Sequence, residues 1–150
     1  MEMETISALG KFGAIAAISF AAMGSALGTG TAGAAAVGAW KKCFAQNKMA
    51  PFLLITFVGA PLSQTIYGMI LMFTMIGKAN AGFAFPALIG IGIVGGIAIG
   101  LSAWLQGRAG AAAADALAET GQGFTNYLAA LGVIETVAIF VMVFIIIALG

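Results

Sequence analysis

The sequence predicts an all-α membrane protein whose four transmembrane helices form two duplicated antiparallel hairpins. Composition is the first observation behind this. Of 150 residues, 62% are hydrophobic and 7% charged, where a soluble domain carries about 25% charged residues. Mean hydropathy is +1.11. The second observation is where the few charges fall. Residues 12–40, 49–77 and 79–107 hold no charged side chain, and Glu135 is the only charge in the 31 residues from Thr120 to Gly150. Each stretch exceeds the roughly 20 apolar residues needed to span a bilayer as a helix. The third is an internal repeat. Ser25–Ala36 aligns without a gap on Ser102–Ala113, and Gln64-Thr65 aligns on Glu135-Thr136. The strict alternation that marks a membrane β-barrel is absent.

Taken in order, the helices are expected at about 9–43, 51–76, 84–117 and 123–149, with ends placed to within a few residues. The first two make a hairpin within residues 1–80, and the second two a hairpin within 81–150. The connections Phe44–Ala50, Gly77–Phe83 and Ala118–Gln122 are short, so neighbouring helices run antiparallel. Lys41, Lys42 and Lys48 flank the first loop, against Glu2, Glu4 and Lys11 near the N-terminus. The positive-inside rule therefore puts both hairpin loops in the cytoplasm and both termini outside, across the cell membrane. The start, MEMETIS, is acidic where a secretory signal needs a basic segment, so the first span is expected to be retained.

The two helices of each hairpin differ in bulk. Gly24, Gly28 and Ala32 in the first helix, and Gly92, Gly96 and Gly100 in the third, form fourfold-spaced stripes of small residues. Such stripes let helices approach closely. The second and fourth helices carry Phe52, Phe57, Tyr67, Phe73, Phe140 and Phe144. Thin helices on an inner circle and thick ones outside would make a homo-oligomeric ring, with Gly24, Gly28, Gly92, Gly96 and Gly100 as its packing residues. The same stripes could instead hold a four-helix monomer together.

Composition also excludes function classes. A net charge of +1 without a basic cluster gives no nucleic-acid surface. Cys43 is the single cysteine and histidine is absent, which excludes an internal disulfide and a His/Cys metal site. No organic cofactor and no catalytic constellation is expected.

The chemistry centres on Glu135. A carboxylate at mid-bilayer costs from about 3 to well over 10 kcal/mol, so such a group faces partners and has a task. The other polar side chains of the spans can be counted quickly. Ala60, Ser63, Gln64 and Tyr67 share one face of the second helix at i, i+3, i+4 and i+7. Pro61 sits inside that face, removes a backbone donor, and leaves carbonyl oxygens around Phe57–Ala60 partly free. Gln106 is on the third helix. A hard cation stripped of water needs several oxygens of these kinds; a proton needs only the carboxyl group. Singly, Gln64 and Gln106 would read as interhelical hydrogen-bond glue, and Ser63 as bonded back to its own helix. Arg108 is expected to snorkel to the interface, Trp40 to anchor there, and Trp104 to pack.

Over its whole length the chain resembles the K subunit of bacterial V/A-type rotary ATPases, the duplicated proteolipid of the membrane rotor ring. The segments Pro61-Leu62-Ser63-Gln64-Thr65-Ile66-Tyr67-Gly68, Leu105-Gln106-Gly107-Arg108 and Val133-Ile134-Glu135-Thr136 carry the likeness. It implies a non-catalytic subunit that translocates Na⁺ on Glu135, with Gln64, Gln106, the Ser63 hydroxyl and the Ala60 carbonyl as further ligands. Tyr67 would orient the carboxylate. Ser63 stands where threonine is familiar, and Ala60 where a larger residue is. The implied partners are identical subunits in a ring, a stator subunit with two half-channels, a central stalk at the cytoplasmic loops, and lipid. Na⁺ is favoured over H⁺ because a proton site would leave Gln64, Gln106 and Ser63 as polar groups with little to do. A small glutamate-dependent multidrug-type transporter and a structural tetraspan are the rival readings. The first would need an aromatic-lined cavity, and the second leaves Glu135 without a role.

Overall fold

A computed structural model describes residues 3–150. It is all-helical, with four helices long and apolar enough to cross a membrane: α1 (Met3–Ala45), α2 (Leu54–Asn80), α3 (Phe85–Thr120) and α4 (Phe124–Leu149). The first helix begins at least six residues earlier than hydropathy implies. Nothing in Thr5-Ile6-Ser7-Ala8 breaks a helix, and helical hydrogen bonds continue past the apolar stretch. At 43 residues, α1 is about 65 Å long, roughly twice the hydrocarbon thickness. Conversely, α2 begins three residues late. Pro51 and Phe52 form a turn instead, because Trp40 donates its indole N–H to the Pro51 carbonyl at 2.7 Å and pins the loop. Glu2 lies outside the described residues.

The ends follow local chemistry. Pro86 occupies the first turn of α3, where no intrahelical donor is lost. Gly121, at φ 69°, ends α3 in the left-handed region, and its N–H donates to Leu117 at 2.8 Å. Inside α2, Pro61 imposes a single 3₁₀ turn over Ala60–Leu62.

The largest interface is between α1 and α3, which run parallel. Gly13 meets Gly92, Gly24 meets Gly100 and Gly28 meets Gly107, so contacts advance along both helices together. Both hairpin loops thus lie at one end, where Cys43 Sγ approaches the Ala118 carbonyl and Lys42 lies 4.0 Å from Glu119. At the other end Ser7 donates to Asn80, and Lys78 bonds the Gly150 carbonyl. On this parallel pair α2 lies against α1 and α3, while α4 lies against α3 and α2.

The glycine stripes meet within the chain, the second of the two roles their spacing allowed. A Cβ on Gly24 would strike the Gly100 backbone, and one on Gly96 would stand 2.7 Å from the Ala17 carbonyl oxygen. Gly28, Gly92 and Gly100 likewise face Ala103, Gly13 and Phe20 of the same chain. All five stripe glycines lie in the contact that joins α1 to α3 within the subunit.

Two apolar clusters fill the bundle. One gathers Ala17, Leu71, Met75, Leu88 and Ile99 toward the chain termini. The other gathers Ala36, Leu54, Phe57, Ala114 and Leu131 toward the hairpin loops. Between them lies a layer holding all four of the described buried polar side chains: Ser25, Gln64, Ser102 and Gln106.

Candidate functional site

The polar layer comes from three helices. From α2 come Ser63, Gln64 and Tyr67, on the helical stretch that starts directly after the 3₁₀ turn. From α3 comes Gln106, and from α4 Glu135. The spacing i, i+1, i+4 on α2 points Gln64 into the bundle, fully buried, and leaves Ser63 and Tyr67 half-buried at its side.

One continuous run of hydrogen bonds joins them. Ser63 Oγ donates to the Ala60 carbonyl at 3.0 Å and lies 3.2 Å from Gln64 Oε1. Gln64 Nε2 donates to Gln106 Oε1 at 2.8 Å. Gln106 Nε2 in turn donates to the Leu131 carbonyl at 3.0 Å and to Glu135 Oε2 at 3.2 Å. Tyr67 Oη donates to the other carboxylate oxygen at 2.6 Å. Glu135 is thus held by two donors, one on each oxygen, and is itself half-buried at the flank of the bundle.

Every residue expected at the site is in this run, including the Ala60 carbonyl. The wider group of carbonyls expected to be freed by Pro61 narrows to that one. Phe57, which loses its helical donor to Pro61, turns its oxygen toward α3, where a Cβ on Gly110 would be 2.9 Å away. Gln64 and Gln106 are bonded to each other, as glue would be, and also to the carboxylate network. Ser63 bonds back to its own helix and also to Gln64.

Several side chains stay outside. Thr29 and Thr31 fold back on the carbonyls of Ser25 and Leu27 at 2.8 and 2.7 Å. Arg108 and Trp104 are exposed. Two features were not anticipated. Ser102 Oγ donates to the Ile134 carbonyl at 2.9 Å, tying α4 to α3 one residue before Glu135. Ser25, its repeat mate, is 2% exposed and its hydroxyl has no partner. The repeated serine was visible in the aligned segments, but a backbone acceptor such as Leu131 leaves no mark in a sequence.

Chemically, the site gathers four further kinds of oxygen beside a single carboxylate: carboxamide, hydroxyl, phenol and peptide carbonyl. Charge-assisted hydrogen bonds of this sort contribute about 1.5–3 kcal/mol each, enough to fix a carboxylate in one orientation. The donors are placed to fix the orientation of the Glu135 carboxyl group, and the amide and hydroxyl oxygens suit a small desolvated cation.

Comparison with curated proteins gives no match. Residues 89–148, running from the first turns of α3 to the end of α4 and including both Gln106 and Glu135, match the family of ATP synthase C subunits, which supports a rotor-ring proteolipid in a multi-pass membrane protein.

Proposed function

We propose that the chain is the rotor-ring subunit of a V-type rotary ATPase or ATP synthase and that it carries Na⁺ on Glu135. The observation that supports this most is the hydrogen-bonded run from Ala60 through Ser63, Gln64 and Gln106 to Glu135. A proton carrier would need the carboxyl group alone. Here one buried carboxamide bonds it directly, and a second carboxamide and a hydroxyl are linked to it through the first, which suits a hard cation that exchanges water for several oxygens. The ligands would be Glu135, Gln64 Oε1, Gln106 Oε1, Ser63 Oγ and the Ala60 carbonyl, all from one chain. Tyr67 would hold the free carboxylate oxygen without adding a charge.

In the working cycle Glu135 receives its ion from one half-channel of a stator subunit, and the ring carries it round to a second. Both hairpin loops lie at one end of the bundle and would face the cytoplasm, where a central stalk takes up the rotation. The subunit itself performs no catalysis. The multidrug-type alternative gains little from the geometry, since Glu135 is hydrogen-bonded to Gln106 and Tyr67 and linked through Gln106 to Gln64 and Ser63.

The test is labelling of Glu135 by a hydrophobic carbodiimide at fixed pH. Millimolar Na⁺ should slow the reaction by keeping the carboxylate ionised and occupied, and Gln64→Leu or Gln106→Leu should relieve that protection. Labelling indifferent to Na⁺, with ATP-coupled transport unchanged in its absence, would make this a proton site.

A further inference from the structure

Ser25 stands level with Gln64 across the contact between α1 and α2. A Cβ on Gly68 would lie 2.6 Å from Ala21 Cβ, and one on Gly28 would lie 2.8 Å from Pro61 Cβ. Ala21, Ser25 and Gly28 share one face of α1, at i, i+4 and i+7. Ser25 is four residues past Ala21 and Gln64 is four before Gly68, so the antiparallel helices bring the two to one height. Both are buried, at 2% and 0% exposure. Their fates differ. Gln64 is bonded to Ser63 and Gln106. Among the described residues, the Ser25 hydroxyl is the one buried side-chain polar atom without a hydrogen-bond partner.

The repeat of this pair is Ser102 with Glu135, and there the serine is employed. Ser102 Oγ donates to the Ile134 carbonyl at 2.9 Å, directly before the acid. In the first hairpin the matching carbonyl is that of Ser63, directly after the 3₁₀ turn of Pro61, and Ser25 does not bond it. A buried hydroxyl left unpaired costs stability, and folded proteins keep few of them. This one is kept beside a ligand of the proposed ion.

Ion binding gives that hydroxyl a use. Gln64 Nε2 donates to Gln106 Oε1, so the two carboxamides meet nitrogen to oxygen. For both Oε1 atoms to face one cation, the Gln64 carboxamide has to turn, and its NH2 group leaves the Gln106 oxygen. A buried N–H needs an acceptor. The other oxygens of the run, on Ser63, Gln106, Ala60 and Glu135, all go to the cation on the reading above. Ser25 Oγ is the acceptor left at that height.

We infer that Ser25 is a positioning residue for the ion: its hydroxyl accepts the Gln64 Nε2–H in the ion-bound arrangement and holds Gln64 Oε1 toward the cation. This rests on the ion-carrying function proposed above, and it brings in α1, the one helix that gives the site no ligand. In the hydrogen-bonded run the hydroxyl has no partner, and in the ion-bound arrangement it has one. Its bond therefore counts wholly toward ion affinity.

The measurement is the Na⁺ concentration that half-protects Glu135 from carbodiimide, taken on the full chain in its native membrane. In Ser25→Ala it should rise roughly five- to tenfold, while the labelling rate without Na⁺ and the amount of assembled protein stay at wild-type levels. Ser25→Cys keeps nearly the same volume but accepts hydrogen bonds weakly, so it should follow Ser25→Ala. A cysteine variant that behaves as wild type would mean that the residue only fills space, which overturns the assignment. An unchanged half-protection in Ser25→Ala overturns it too, as does a shift accompanied by a changed rate without Na⁺; in these three cases the Na⁺ site itself stands. If wild-type labelling ignores Na⁺, the ion reading and this inference fall together.

Discussion

Ala60 and Leu131 are repeat mates, separated by the same 71 positions as Gln64 and Glu135, yet their carbonyls meet different fates. In the second hairpin, Gln106 reaches across from α3 and donates to the Leu131 oxygen at 3.0 Å. In the first, the equivalent of Gln106 is Thr29, whose short side chain turns back to Ser25 on its own helix. No donor from α1 reaches Ala60, and its oxygen takes the hydroxyl of Ser63 instead. The same asymmetry runs through the serines: Ser102 ties α3 to α4, while Ser25 is buried without a partner. The second hairpin has closed its interhelical bonds around an acid. The first has opened its own, freeing Gln64, Ser63 and the Ala60 carbonyl to serve the other hairpin's carboxylate. A duplicated pair of similar units has become one cluster, with Glu135 and Gln106 from one hairpin and Ser63, Gln64, Tyr67 and the Ala60 carbonyl from the other.

Making the second hairpin as neutral as the first removes most. Glu135→Gln should abolish both carbodiimide labelling and coupled ion transport while leaving assembled protein. Retained transport would mean that the acid is dispensable and the comparison misplaced. Next in size is packing. Gly28→Leu forces a side chain into Ala103 and Pro61 and should prevent folded subunits from accumulating, seen as loss of protein from the membrane fraction. Gly30→Leu, two residues on, points into open space; that subunit should fold and fail only in assembly, seen as a smaller particle by size exclusion.

Giving the second hairpin the first hairpin's residue is subtler. Gln106→Thr cuts the bonds to Gln64, Leu131 and Glu135 together. At about 1.5–3 kcal/mol for a bond to a charged group, Na⁺ protection of Glu135 should shift to roughly 10–100-fold higher concentration. Protection at unchanged Na⁺ would remove Gln106 from the site. Tyr67→Phe deletes one donor and keeps the ring, so the shift should be nearer tenfold. The smallest change is expected from Ser63→Ala, about 1 kcal/mol or a few-fold, and Ser63→Thr should restore it because the hydroxyl returns.

Much of this was legible in the sequence, for a physical reason. A span with no charge and few polar groups makes each polar residue conspicuous, so the oxygens of the site could be found by enumeration. Glu135, Gln64, Gln106, Ser63 and Tyr67 were all found that way. Helix limits were less legible, because hydropathy marks the membrane and not the hydrogen-bonded helix; hence α1 is already helical at Met3. The glycines were ambiguous in a specific way. Fourfold spacing says that something comes close, but not what, and here the partner is the same chain's own parallel helix. Leu131 was invisible because its contribution is a peptide carbonyl, and Ser25 and Ser102 were passed over among alanines and glycines.

The two apolar clusters above and below the polar layer carry a further consequence. They cap the site like dielectric stoppers: Phe57, Leu54 and Leu131 on one side, Leu71, Met75 and Ile99 on the other, each at most 1% exposed. Moving a bare ion through such packing along the bundle axis costs tens of kcal/mol, so the subunit has no axial conduit. The half-exposed Glu135 makes the flank of α4 the one way in and out. On the ion-carrying function proposed above, traffic would be sideways, and its timing would belong to whatever stands beside that flank. Against lipid an ion would be locked in; against a wet, polar surface it would be released. The subunit would then be a sealed cargo holder whose lock is its surroundings, and that indifference would let one and the same bundle serve flow in either direction.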